Sequence, residues 1–422
     1  MRNYSMAGLK ETFSFALISI ALLACPDSNA QYPGIDEDIA RYRKGELTVK
    51  AKPGDQVTVE QLRHEFWFGC AISNGFVDGS MAESDVRQYS EKFLANFNSA
   101  VTENAVKWGN MERLEGQVNY SVVDGILAWT EKNNIPLRAH NLFWGIPNRV
   151  QPWLKEMEDN ELKQTLQQRA ETVAGRYKGR FAEYDLNNEM IHGNYYEERL
   201  GPEITKLMAQ WAHHGDPGAK LYLNDYDILT GSKLPEYVAH IRKLLSQGVA
   251  IAGIGVQGHL HAETFDRKEL RRALDSLALF KLPIRITEFN VPGQRSKYHV
   301  EKIRTMTPEE EELKAKELVD YYKICFAHPA VEGILMWGFW EGANWIPVSS
   351  LYKRDWSPTP AAEAYHNLIF KEWWTTKSGT ANKNGVFTVP AFYGKYKVTV
   401  NGISKEVDLL KAKAKGVVDF GE

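Results

Sequence analysis

The sequence predicts an α/β fold: a (β/α)8 barrel carrying a small accessory β module. Three observations lead there. Eight short apolar runs recur between residues 66 and 337, each followed by a longer amphipathic or polar stretch. Helix-start chemistry stands between them. Strand-like alternation returns only outside that region, near both ends of the chain. The length of 422 residues suits one large domain with an appendage, or two to three domains of about 150 residues. Hydrophobic residues make up 43%, ample for a packed core, which excludes a disordered chain.

The elements follow in order. Residues 1–30 read as a secretory leader, with a basic start (Arg2, Lys10), an apolar run over 13–25, and Ser28-Asn29-Ala30 as a cleavage site before Gln31. The run is shorter than the roughly 20 apolar residues that span a bilayer, and no later run is longer, so no transmembrane segment is expected. Leu22-Leu23-Ala24-Cys25 also fits a lipoprotein signal, which makes a lipid anchor on Cys25 the alternative to simple secretion. Residues 31–65 are expected to be a β segment, because Leu47, Val49, Val57 and Val59 alternate around the turn Lys52-Pro53-Gly54-Asp55.

The barrel is expected over 66–372, its strand runs at 66–72, 99–101, 137–142, 184–187, 221–224, 254–257, 284–287 and 333–337. Residues 121–133 place Val122, Ile126 and Trp129 on one helical face. Thr307-Pro308-Glu309-Glu310 reads as cap, first-turn proline and first-turn acids for a helix over 313–326. Residues 373–422 are expected to be a C-terminal β module pairing with the N-terminal strands, with turns at Asn384-Gly385 and Asn401-Gly402.

Charge and cysteine content narrow the function. Fifty-one basic against 54 acidic residues give a net charge of −3, which disfavours a nucleic-acid partner. Three cysteines leave no disulfide framework and no multi-cysteine zinc site. With the leader removed only Cys70 and Cys325 remain, as a pair or as two buried thiols. The unusual quantity is the 12 tryptophans, which a large aromatic core or a binding surface would use.

In such a barrel the chemistry sits where strands end. The second run ends in Glu103-Asn104, with Lys107-Trp108 beyond; the third in His140-Asn141, with Trp144. The fourth ends in Asn187-Asn188-Glu189 and the fifth in Asn224-Asp225-Tyr226. The sixth supplies Gln257 and His259, the seventh Glu288 and Asn290, the eighth Trp337 with Trp340 and Trp345. Seven consecutive ends carrying amide, imidazole, carboxylate or indole groups exceed what solvation requires. Glu189 and Glu288 each terminate an apolar strand, on opposite sides of the barrel mouth. A facing carboxylate pair is what glycoside hydrolysis needs. Amides, imidazoles and Lys suit sugar hydroxyls, and indoles stack on the apolar faces of pyranose rings. Other patterns carry less. Gly253–Gly258 matches the G-x-G-x-x-G spacing, but inside a strand rather than opening a helix. His213-His214 and His259-x-His261 lack the spacing of a zinc site, so no metal ligands are expected. Asn119-Tyr120-Ser121 fits a glycosylation acceptor.

These residues resemble glycoside hydrolase family 10, the endo-β-1,4-xylanases. The likeness runs through 102–108 (Thr-Glu-Asn-Ala-Val-Lys-Trp), 140–144 (His-Asn-Leu-Phe-Trp), 185–189 (Asp-Leu-Asn-Asn-Glu), 223–226 (Leu-Asn-Asp-Tyr), 255–259 (Gly-Val-Gln-Gly-His), 286–289 (Ile-Thr-Glu-Phe) and 336–338 (Met-Trp-Gly), in the family's order. The resemblance implies a TIM barrel that cleaves internal β-1,4 links of xylan with retention. By motif position Glu189 resembles the general acid/base and Glu288 the nucleophile. Asn188 would bind the 2-hydroxyl at the cleavage point and His259 the nucleophile. Asn104, Lys107, His140, Trp144 and Gln257 would line the glycone side, with Trp337 and Trp345 as its aromatic wall. The chain departs from the family pattern at Asn290 (usually Asp), at Gly145 (often His) and in the 339–345 loop. The expectation is a secreted, monomeric, retaining endo-β-1,4-xylanase with no cofactor and xylan or a related β-1,4-linked polysaccharide as partner. The alternatives are a β-1,4-glucanase or dual-specificity glycanase, and a non-catalytic carbohydrate-binding barrel.

Overall fold

The computed structural model describes residues 34–421. The leader expected in residues 1–30, Cys25 included, lies outside the described residues. All eight runs form strands: Trp67–Ile72, Ser99–Thr102, Leu137–Ala139, Glu183–Asn188, Leu221–Asp225, Gly253–Val256, Ile284–Phe289 and Val331–Met336. They pair in parallel in chain order, and the eighth pairs back onto the first, which closes the barrel. The third is cut short; the chain leaves at Ala139 and re-enters at Phe143–Trp144 beside Asn187 and Asn188. Every residue of the fourth to seventh strands is buried, polar ones such as Glu183, Asp185, Asn187 and Arg285 included, so burial does not alternate along them.

Two helices follow the sequence closely. Ser121–Lys132 occupies the expected stretch. Residues 313–326 lie inside a longer helix, Pro308–Ala327, started by a reciprocal cap between Thr307 and Glu310. The glycines of the 253–258 pattern serve strand packing. A Cβ at Gly253 would lie 2.1 Å from the Tyr222 ring, and one at Gly255 2.5 Å from the Leu223 carbonyl.

The barrel interior is not wholly apolar. Arg138, on the third strand, pairs with Glu183 and Asp185 on the fourth, and Arg285 on the seventh pairs with Glu183. Two cations meet two anions with almost no water contact, which compensates the cost of burying each charge. Burial pushes the Glu183 carboxyl up, but the Arg285 and Arg138 guanidiniums outweigh it and hold it below the usual carboxylate range.

The N- and C-terminal strands combine into one β module. Lys44–Lys50 sits between Val386–Phe392 and Lys415–Asp419, and Gln56–His64 lies in a second sheet with Thr376–Thr380, Gly394–Val400 and Ile403–Leu409. Leu47, Val49, Val59, Tyr396, Val398 and Leu409 form its core. Asn401 (φ 48°) and Gly402 (φ 85°) make the tight hairpin turn expected there. Two features differ from expectation. Thr376–Thr380 and Ile403–Leu409 are additional strands, and the stretch expected to be β begins with a helix, Ile35–Arg43. That helix is fixed by Arg43, which is buried and donates to the carbonyls of Phe326, His328 and Val331 under the barrel floor. Cys70 and Cys325 are separate buried thiols rather than a disulfide. Among the described residues no helix is long and apolar enough to cross a membrane.

Candidate active site

The C-terminal strand ends open on a cleft of about 750 Å³. Asn104, Lys107, His140, Trp144, Glu189, Gln257, His259, Glu288, Trp337 and Trp345 all line it. Asn188 does not; it lies fully buried beside the cleft floor.

Glu189 follows the fourth strand in a left-handed conformation, φ 61°, its backbone N–H held by the Asn224 carbonyl at 2.8 Å. Few non-glycine residues adopt that conformation, and this one is maintained by its surroundings. Trp144 Nε1 donates to Glu189 Oε2 at 2.7 Å and Gln257 Nε2 to Oε1 at 2.9 Å. Burial, followed by the nearby Glu288 charge, pushes the Glu189 carboxyl above its ordinary range despite these two donors.

Glu288 is held differently. Asn224 Nδ2 donates to its Oε1 at 3.0 Å and also to Asn188 Oδ1 at 2.9 Å, while Thr287 donates to Asn224 Oδ1 at 2.7 Å. His259 Nε2 lies 3.1 Å from Glu288 Oε2, and His140 Nδ1 3.9 Å from Oε1. Burial pushes the Glu288 carboxyl up, yet His140, His259 and the Lys107 ammonium outweigh it and bring it down to about 2. His140 is oriented from below, its Nδ1 2.8 Å from Asp185 in the interior charge network. Lys107 donates to Asn104 Oδ1 at 2.9 Å and sits 5.0 Å from the Trp144 ring and 5.7 Å from the Trp337 ring.

Asn290 explains one departure. Its Oδ1 accepts from Trp345 Nε1 at 3.0 Å and faces His259 Nδ1 at 2.8 Å, while Nδ2 donates to Ser349 Oγ at 2.9 Å and reaches the Trp337 carbonyl at 3.5 Å. An indole N–H only donates and a carbonyl only accepts, so the amide has one orientation and His259 carries a proton on Nδ1. An aspartate would leave the Trp337 carbonyl without that donor. Gly145 is confined too: a Cβ there would meet the Tyr196 ring at 3.2 Å.

The profile of glycosyl hydrolase family 10 matches residues 59–368. The chain belongs to this family. Among curated relatives, the anti-sigma-I factor RsgI6 of Acetivibrio thermocellus is 34% identical over 373 residues, 86% of this chain and 46% of that protein. Endo-1,4-beta-xylanase 1 of Arabidopsis thaliana is 34% identical over 351 residues, 82% of this chain and 34% of that protein. The chain thus spans less than half the length of these two curated relatives. Among solved structures, xylanase 10B of Thermotoga petrophila RKU-1 in complex with xylobiose has a TM-score of 0.64 and 26% identity, covering 73% of this chain and 95% of that one.

The family 10 cleft also holds residues outside the expected set. Glu103, Tyr226, Arg149 and Gln151 line it, and Asn224 organises its floor. Tyr226 stacks on His192 at 3.5 Å and 12°. Glu103, Asn224 and Tyr226 were visible as polar strand ends; Arg149 and Gln151 belong to a loop well past the third strand and carry no such signal. Trp340, read beside the eighth strand end, goes to the core. It stacks on Trp356 at 4.4 Å and 5° within the core, so it is no part of the cleft, whereas Trp108 is buried and still reaches it. His213 bonds the Ala219 carbonyl, His214 Glu171 and His261 Asp227, and among the described residues no group of three or more potential metal ligands occurs.

Proposed function

We propose that this chain is a secreted endo-β-1,4-xylanase that hydrolyses internal bonds of xylan by double displacement with retention. The observation that carries this is one cleft holding two carboxyl groups pushed in opposite directions, Glu288 down to about 2 and Glu189 upward. In the first step Glu288 attacks C1 of the bound xylose as its bond to the leaving oxygen breaks, and Glu189 gives that oxygen its proton. In the second, Glu189 takes a proton from water, which attacks C1 and releases Glu288. Glu288 must be ionised and Glu189 protonated at the outset, and the two shifts favour that distribution.

The remaining contacts fit a neutral sugar. Asn188, whose place in the motif assigns it the 2-hydroxyl at the reacting ring, is buried beside the cleft floor with its Oδ1 taken by Asn224 and no protein partner on Nδ2. Asn104, Lys107, His140 and Gln257 offer hydrogen bonds along the glycone side, and Trp144, Trp337 and Trp345 offer ring faces. The likeness to proteins named xylanases supports the substrate class. The second reading is a barrel that binds the polysaccharide without cleaving it; one relative matched over most of this chain is named an anti-sigma factor rather than a hydrolase.

Reducing-sugar release across xylans and β-glucans, with the anomer of the first product followed by NMR, separates these. The xylanase reading expects release from xylan and an initial β product. Preference for carboxymethyl-cellulose would replace it with a glucanase. Binding without release would replace it with the non-catalytic barrel.

A further inference from the structure

We propose that Arg149 and Gln151 form a subsite for the carboxylate of a uronic acid substituent on the xylan chain. This rests on the polysaccharide reading of the same cleft and deepens it, because a neutral glycan needs no guanidinium.

Three observations converge. First, Arg149 is exposed on the cleft wall, with its Cζ 5.0 Å from the centre of the Trp144 ring. Stacking on an indole fixes the guanidinium plane and reduces the rotamer freedom lost on binding. Second, this cation has no acid. Glu103, Glu189 and Glu288 all act on Lys107. Asp227 takes Arg295, on another part of the barrel mouth. Arg149 makes no side-chain hydrogen bond or ion pair with any described residue, so its donors are all available, in the fork geometry that matches a carboxylate. Third, Gln151 lies two residues on and is only 8% exposed, yet its Nε2 has no partner. Its side chain stands in the lining of the cleft. A buried, unpaired amide is costly unless something bonds it. An amide donor beside an uncompensated guanidinium suits a carboxylate with a neighbouring hydroxyl, which a pyranose uronic acid carries.

The place in the cleft agrees. Arg149 and Lys107 lie at the same distance from the Trp144 ring. The Arg149 charge also acts on the Lys107 ammonium, which sets the site on the Lys107 side of the cleft. A substituent there would hang from a sugar bound beyond the reacting ring, so it would add affinity without entering the chemistry.

The test compares a linear xylooligosaccharide with one bearing a single uronic acid branch. Hydrolysis (kcat/KM) is measured with the wild-type chain, Arg149→Met, which keeps the stem on the indole, and Arg149→Lys. Binding of both oligosaccharides to Glu288→Ala, with and without Arg149→Met, is measured by calorimetry. The expected result is a loss of about tenfold on the acidic oligosaccharide in Arg149→Met, at the low end for a charge-assisted hydrogen bond because the site is open to water. The neutral one should change by less than about twofold. Arg149→Lys should fall between, and the acidic preference should shrink with added salt. Equal losses on both substrates would overturn the proposal by making Arg149 a support for Trp144. No loss on either would overturn it as well. An inactive wild type that still binds the acidic oligosaccharide through Arg149 would sink the xylanase reading alone. An active enzyme indifferent to the acid would sink the subsite alone.

Discussion

Two charge clusters occupy one barrel, and their contrast separates structure from chemistry. Below, Arg138, Arg285, Glu183 and Asp185 form a closed set, cations matched to anions in direct ion pairs. Above, at the mouth, Glu189 and Glu288 share a cleft with Lys107 and two imidazoles, and the two carboxyls are driven apart in proton affinity. Glu189 also holds a left-handed backbone. The lower cluster satisfies itself; beside the upper one lie buried groups with no protein partner, Asn188 Nδ2 and Gln151 Nε2. A single side chain joins them, His140, which takes Asp185 below and approaches Glu288 above. Charge that is balanced supports the fold, and charge left poised is what the proposed reaction would use.

Substitutions should therefore divide by cluster. The largest effect is expected from Glu288→Ala, which should lower kcat on xylan by at least about 10⁴-fold while leaving the denaturant midpoint little changed. Next, Glu189→Ala should lower kcat by about 10²–10⁴-fold on xylan and much less on an aryl β-xyloside whose leaving group needs no proton. The pH dependence has a definite sign. The raised Glu189 carboxyl binds a proton more readily folded than unfolded, so wild-type stability falls as pH rises from about 4.5 through its folded value. Glu189→Ala removes that loss, and its melting temperature should gain on the wild type as pH rises. The wild-type rate should also fall on the alkaline side as Glu189 loses its proton.

Breaking the lower cluster should do the opposite. Glu183→Ala leaves Arg138 with Asp185 and takes from Arg285 its carboxylate partner, and about 3–5 kcal/mol of unfolding free energy should be lost, read from denaturant titration. Because the Glu183 carboxyl is held below its usual range, its contribution is complete above about pH 4.5 and disappears as pH falls through its folded value. The fraction that remains folded should keep most of its specific activity. The smallest effect is expected from Tyr226→Ala. Loss of the ring stacked on His192 should raise KM for long xylooligosaccharides by about threefold to tenfold with kcat nearly unchanged, as removal of uniform binding does.

The division also governs what the sequence revealed. Most barrel strands were legible because burial on both faces makes them largely apolar, although Glu183–Asn188 holds four polar residues, and the two carboxylates because each stands at a strand end. Ile403–Leu409 was not, since six of its seven residues are exposed or half-buried and no alternation marks it. The helix Ile35–Arg43 hides for a related reason. Its buried face is only Ile35, Ile39 and an arginine, and Arg43 is buried by three carbonyls that lie 283 to 288 residues away in sequence. Arg149 and Gln151 were silent because they sit in a loop whose position no periodicity sets. Trp340 and Trp345 stand five residues apart in one loop, and only the fold decides that one stacks on Trp356 and the other faces the cleft.

The assignment of opposite roles to the two carboxylates is tested most directly by azide rescue on an aryl β-xylobioside. With Glu189→Ala, azide should attack the glycosyl–enzyme and release the β-glycosyl azide. With Glu288→Ala, azide should attack the substrate from the opposite face and release the α-glycosyl azide. The same anomer from both variants, or the reverse assignment, would contradict it.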